Sequence, residues 1–166
     1  MIPSAGKLVV TTPSEREIHL VRVFDAPKYR VFRAYTEPAL VRQWLGVFGG
    51  WELPICTIDL RPGGQARYVW RHANGQEMGM TATFQEIVPD TRIVGIEVFD
   101  AAWYAGEGHT TITFEEVAGK TTLTIAIRYD SQAIRDAVLK SPMDQGVGSS
   151  MDSLERALMG VAGERT

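Results

Sequence analysis

Glu97 is the residue whose type and setting most readily suggest chemistry. It sits in the run Ile93-Val94-Gly95-Ile96-Glu97-Val98-Phe99, which is otherwise apolar. A carboxylate there either lies on an exposed edge or enters an interior space and needs a partner. Inside, desolvation would lift its pKa above the usual ~4.3, leaving either a general acid or an anchor for a ligand's polar end. His72 is the other acid–base candidate. By the period-two rule Tyr68, Trp70 and His72 share one strand face, Met78, Met80, Ala82 and Phe84 a second, and Gly95, Glu97 and Phe99 a third. Trp103 and Tyr104 follow in a loop. These rows are either ordinary core or the lining of a small-molecule cavity built from aromatic rings, soft methionines and one carboxylate.

Other chemistry finds little footing. The three histidines, His19, His72 and His109, share no motif, and the carboxylates have no metal-loop spacing. There is no Gly-x-Ser-x-Gly elbow and no dinucleotide or phosphate loop. No catalytic set, metal or cofactor is therefore indicated. Cys56 is the single cysteine, and between Ile55 and Ile58 it reads as a buried thiol in a strand. Ser149-Ser150 falls in a helical stretch, where hydroxyls tend to bond back to a carbonyl.

The positioning elements follow from periodicity and punctuation. Residues 1–14 read as a loose lead-in, and 15–162 as one domain. Arg16 to Phe24 alternates as a strand, with Ile18, Leu20, Arg22 and Phe24 on one face. Asp25-Ala26-Pro27 stops it, and Asp25 is placed to cap a short helix through Val31, Phe32 and Tyr35. Thr36-Glu37-Pro38 starts a second short helix through Trp44 and Leu45, closed by glycines. Six strands are expected near 53–60, 65–72, 77–88, 91–99, 109–116 and 121–129. The breaks at Asn74-Gly75, Pro89-Asp90 and Ala118-Gly119 read as turns, so the sheet should be an antiparallel meander of seven strands. Ser131 caps a helix through Leu139. Ser141-Pro142-Met143-Asp144 opens a final helix ending near Gly160, roughly 28 Å long at ~1.5 Å per residue. Its stripe of Met143, Val147, Met151, Leu154 and Leu158 should face the sheet. An α+β fold with a curved sheet around this helix is the compact solution, and imperfect packing between them would leave a cavity.

Seventeen basic and 20 acidic residues give a net charge of −3. That balance provides no electrostatic reason to bind nucleic acid or an anionic membrane. No apolar run approaches the roughly 20 residues needed to span a bilayer, and Met1 to Pro13 has no apolar signal core, so a cytoplasmic protein is expected.

Taken together, the segments resemble a known family. They are Arg22-Val23-Phe24-Asp25-Ala26-Pro27, Val31-Phe32-Arg33-Ala34-Tyr35-Thr36-Glu37-Pro38, Trp44-Leu45-Gly46, Asp59-Leu60-Arg61-Pro62-Gly63-Gly64, Met78-Gly79-Met80 and Phe84-Gln85-Glu86-Ile87-Val88-Pro89. The stretch from Arg92 to Asp100, the strand Thr121 to Thr124 and the tail Ser131 to Met151 also fit. The chain resembles the heat-shock protein 90 ATPase activator homologues of the START-like superfamily over about Glu17 to Leu158. The resemblance implies a helix-grip fold and, commonly, a hydrophobic ligand cavity. It carries over no catalytic set. Where the family often has glycine, this chain has Pro142 and Ala82, and the added methyl of Ala82 would shrink the cavity.

The leading expectation is a binder of a small hydrophobic or aromatic molecule. Its lining would be Tyr68, Trp70, His72, Met78, Met80, Phe84, Glu97, Phe99 and Trp103, with Met151 and Leu154 from the last helix. The alternatives are a cyclase, dehydratase or hydrolase using Glu97 or His72, and a stress-response module that contacts a chaperone. A homodimer is compatible with each of the three.

Overall fold

Tight turns fold the middle of the chain into a meander. Ala118 and Gly119 both take positive φ, 54° and 78°, so the chain reverses in two residues and Val117 pairs with Lys120. Paired left-handed residues match the twist of the flanking strands. The computed structural model describes residues 6–100, 107–141 and 143–164. Its elements in chain order are β1 (Val9–Thr11), β2 (Glu17–Phe24), α1 (Lys28–Thr36), α2 (Pro38–Val41), β3 (Trp51–Ile58) and β4 (Gln65–His72). Then come β5 (Glu77–Val88), β6 (Arg92–Phe99), β7 (Gly108–Val117), β8 (Lys120–Arg128), α3 (Gln132–Lys140) and α4 (Met143–Glu164).

All the strands form one antiparallel sheet in the order β1-β2-β8-β7-β6-β5-β4-β3. The expected strands are present, and among the described residues the count is eight rather than seven because Val9–Thr11, within the expected lead-in, pairs with Val21 to His19. Three residues are too few to display a period. β2 lies beside β8, while β3 forms the opposite edge of the sheet. α1 and α2 therefore carry the chain from one side of the sheet to the other. Their path places the end of α1 over the sheet's inner face.

That face holds the core. Ile18, Leu20 and Phe24 of β2, Phe114 of β7, and Leu123 of β8 are buried there with Met151, Leu154 and Leu158 of α4. Arg22 shares the buried row on β2, 2% exposed. It donates to Asp152 of α4 at 2.8 Å and lies 3.5 Å from Glu155, and its guanidinium sits 5.2 Å from the Phe24 ring centre. A buried cation survives only with such partners, so this contact fixes α4 against β2.

The helices depart from expectation in three places. Asp25 does not cap α1; Pro27 occupies the cap position with no side-chain bond. The expected end of α4 near Gly160 is passed, and the helix runs to Glu164, because an isolated glycine weakens a helix without forcing it to stop. Ser150 does not bond back along α4. Its Oγ accepts the Gly46 N–H at 2.9 Å, a group stranded where the chain leaves α2. Ser131 caps α3 as expected, accepting from Ile134 N at 3.2 Å.

Candidate functional site

The site begins with a row of small residues. On the inner face Ala66 of β4 pairs with Ala82 of β5, Ala82 with Glu97 of β6, and Glu97 with Gly108 of β7. Glu97 therefore has a methyl on one side and a hydrogen on the other, with a second methyl one strand beyond. The adjacent row holds Phe84, Gly95 and Thr110. Gly95 is required by its backbone: a Cβ there would lie 2.7 Å from the Thr83 carbonyl oxygen, where β5 bulges between Phe84 and Glu86. The register thus hollows the sheet surface around Glu97.

The hollow is a cavity of about 80 Å³. Its floor is Tyr68, Met80, Ala82, Phe84, Gly95 and Glu97, and its far wall is Ile93, Thr110 and Ile112. Tyr35 and Thr36 from the end of α1, with Leu45 and Ile58, complete it. The cover is fixed by hydrogen bonds to backbone. Trp44 donates from Nε1 to the Ala34 carbonyl and Trp70 from Nε1 to the Leu45 carbonyl, both at 2.9 Å. Gly46 sits directly under the Trp70 indole with φ of 69°, and a Cβ would meet Nε1 at 2.3 Å. Only glycine accepts that backbone and that approach together. The Tyr35 ring is held 4.9 Å from Trp44 and 5.8 Å from Phe114, centre to centre.

Glu97 faces this space and is only partly exposed. Burial pushes its carboxyl up to about 7, with Thr110 as a hydrogen-bonding neighbour pulling the other way. The two side chains are near enough for that influence, yet the buried Thr110 hydroxyl makes no hydrogen bond of full geometry. Burial, and then the charge on Glu97, raises both the Tyr35 and the Tyr68 hydroxyls well above the ordinary tyrosine range. Among the described residues neither phenol donates or accepts a hydrogen bond within the protein. A carboxyl, two phenols and the Thr110 hydroxyl therefore meet in a mostly apolar hollow, while the Thr36 hydroxyl on its wall donates to the Phe32 carbonyl at 2.8 Å.

Of the expected lining residues, Tyr68, Met80, Phe84 and Glu97 come together there. Trp70 is buried beneath the cover, stacked on Tyr68 at 5.9 Å. Phe99 packs against the core's margin. Met78 is 46% exposed at the far end of its strand. His72 is a brace: its Nδ1 accepts the Asn74 N–H at 3.1 Å, and Nε2 lies 3.1 Å from the Gly49 carbonyl. Both ring nitrogens are engaged there, and His72 is not among the described residues that line the cavity. Met151 and Leu154 are core, and among the described residues the cavity is covered by the end of α1 and Leu45 rather than by α4. Trp103 and Tyr104 lie outside the described residues. Sequence reading missed Tyr35 and Thr110. Each carried a signal: a phenol on the apolar stripe Val31-Phe32-Tyr35, and a hydroxyl in phase with Ile112 and Phe114.

Among the described residues no group of three His, Cys, Asp or Glu side chains is placed to hold a metal ion. Cys56 is buried, and burial raises its thiol, which makes it a poor nucleophile. No helix among the described residues is long and apolar enough to cross a membrane.

An antiparallel sheet whose inner face carries a long C-terminal helix and a walled hollow defines a helix-grip protein of the START-like kind. Residues 25–159 match the family model for activator of Hsp90 ATPase homolog 1-like protein. The chain belongs to that family. No curated protein matches it. Among solved structures, a Rhodobacter sphaeroides protein is 28% identical with a TM-score of 0.84, covering 92% of this chain and 98% of its own. A Chromobacterium violaceum protein is also 28% identical, with a TM-score of 0.72 and coverage of 87% and 98%. A Nitrosomonas europaea protein at 22% identity shares the fold, with a TM-score of 0.80 and coverage of 92% and 99%.

Proposed function

We propose that this protein binds a small, largely apolar molecule in the cavity beside Glu97, its polar end against Glu97, Tyr35, Tyr68 and Thr110. The observation that carries the reading is an apolar hollow that holds the Glu97 carboxyl, two phenols and a buried Thr110 hydroxyl with no hydrogen-bond partner of full geometry among the described residues. A packed core leaves few such groups, because each costs roughly 1–3 kcal/mol when unsatisfied. A ligand supplies the missing bonds. The volume of about 80 Å³ takes a group of a few heavy atoms. A drug-sized molecule needs ~300 Å³ or more, so a larger ligand enters only as wall side chains such as the unbranched Met80 move aside.

The test is native mass spectrometry of protein purified without organic solvent, together with Ala82→Leu, which places a branched side chain in the hollow. The wild type is expected to carry a small-molecule adduct that the variant loses while retaining its urea unfolding transition. An adduct kept by Ala82→Leu contradicts the reading. So does the absence of any adduct together with unmoved Gly95 and Thr110 amide resonances on adding cyclopentanol.

A second reading rests on the carboxyl of Glu97, held near 7 and facing the cavity. Such a group serves equally as acid or base at neutral pH. On that reading Glu97→Gln binds the ligand and does not turn it over; on the binding reading no turnover exists to lose.

A further inference from the structure

We infer that the cavity selects ligands whose polar end donates a hydrogen bond, an amine or an alcohol, and turns away carboxylates and phosphates. This rests on the reading of the cavity as a binding site and deepens it. Among the described residues lining the cavity, Glu97 is the one acid, and no lysine, arginine or histidine joins it. An anion entering would lose its water, gain no cation and face a carboxylate, and each of those terms opposes binding. The hydroxyls of Tyr35, Tyr68 and Thr110 could donate to it, but relief from the repelling charge on Glu97 requires that carboxyl to take up a proton. That requirement weakens anion binding as pH rises.

A donor fits the inventory better. The Glu97 carboxylate is acceptor-only when ionised. In the register its lateral neighbours are Ala82 and Gly108, which bring no side-chain donor. The one polar side chain in the next row, Thr110, is 4% exposed and its hydroxyl oxygen has no bonding partner of full geometry. An amine or alcohol placed between them donates to Glu97, and an alcohol also accepts from Thr110 Oγ1. An ammonium gains the further attraction of opposite charge in a desolvated site, where charge-assisted hydrogen bonds are strongest.

The test uses four small molecules that share an isopropyl group: isobutylamine, isobutanol, isobutyrate, and 3-methyl-2-butanone as a neutral acceptor without a donor. Each is titrated into the full chain at pH 8.5, and the amide resonances of Gly95, Glu97 and Thr110 are followed by NMR. The amine and the alcohol are expected to bind at least tenfold more tightly than isobutyrate. In Glu97→Gln the amine's advantage over the ketone should fall tenfold, with the ketone itself within threefold of its wild-type affinity. Isobutyrate binding as tightly as the amine, with the ketone also bound, overturns the donor preference and leaves the cavity reading standing. If none of the four moves those resonances, the cavity reading fails and the preference falls with it.

Discussion

Replacing Glu97 by glutamine separates the cost of burying a charge from every other effect of pH. The folded carboxyl titrates at about 7 against 4.5 for the free group. The folded chain therefore holds a proton, across that interval, that the unfolded chain has lost. Stability must fall as pH rises through the interval, and the loss is complete above the folded pKa. At ~1.4 kcal/mol per pH unit the ionised side chain costs on the order of 3 kcal/mol at pH 8. Below 4.5 the carboxyl is neutral in both states and the cost vanishes. Glutamine keeps the shape and never ionises. Urea unfolding of wild type and Glu97→Gln at pH 4.5, 6, 7 and 8 gives a difference in which the titrations of all other groups cancel. The variant should match wild type at the acid end and exceed it by roughly 3 kcal/mol at pH 8. A difference that stays flat across this range means that Glu97 is solvated in the folded state, and the cavity chemistry argued above is wrong.

Leu154 is fully buried on α4, so Leu154→Ala should lose roughly 2–5 kcal/mol in urea unfolding; a loss under about 0.5 kcal/mol would remove α4 from the core. Gly46→Ala places a Cβ against the Trp70 ring on a left-handed backbone. The backbone alone should cost about 1–2 kcal/mol, and the displaced indole should shift tryptophan emission; unchanged emission contradicts the contact. Among the described residues, Asp152→Ala leaves the buried Arg22 with Glu155 at 3.5 Å as its one carboxylate partner. It should destabilise by roughly 1–3 kcal/mol, and a neutral result in thermal unfolding would show that Arg22 needs no partner on α4.

Much of the fold was legible because it rests on local rules. Gly75 and Gly119 accept the positive φ that the Asn-Gly and Ala-Gly turns need, and β4 to β8 follow from alternation between those turns. What alternation could not supply was the pairing order. That β2 joins β8 rather than β3 is a long-range choice, and it sends α1 across the inner face. Tyr35 thereby becomes a wall of the cavity, although in sequence it is only the third apolar position of a short helix. The phase of β6 placed Glu97, Gly95 and Phe99 on one face correctly, but the side on which that face lies depends on the partners in the register. His72 shared a strand face with Tyr68, yet its role is decided by the turn at Asn74 and the loop at Gly49, neither of which period-two reasoning addresses. The hollow itself comes from Ala66, Ala82 and Gly108, which lie on three strands. Their coincidence in one row appears only when the register is known.

The account stands or falls on whether a small molecule occupies the space beside Glu97. The most direct measurement is the set of intermolecular NOEs between isobutanol and methyl groups of the labelled protein. Contacts should appear to the methyls of Ala82, Ile93 and Ile112, which line the cavity, and not to Leu154, which lies in the packed core. NOEs confined to surface methyls such as those of Val117 and Met159, or none under saturating ligand, would contradict it.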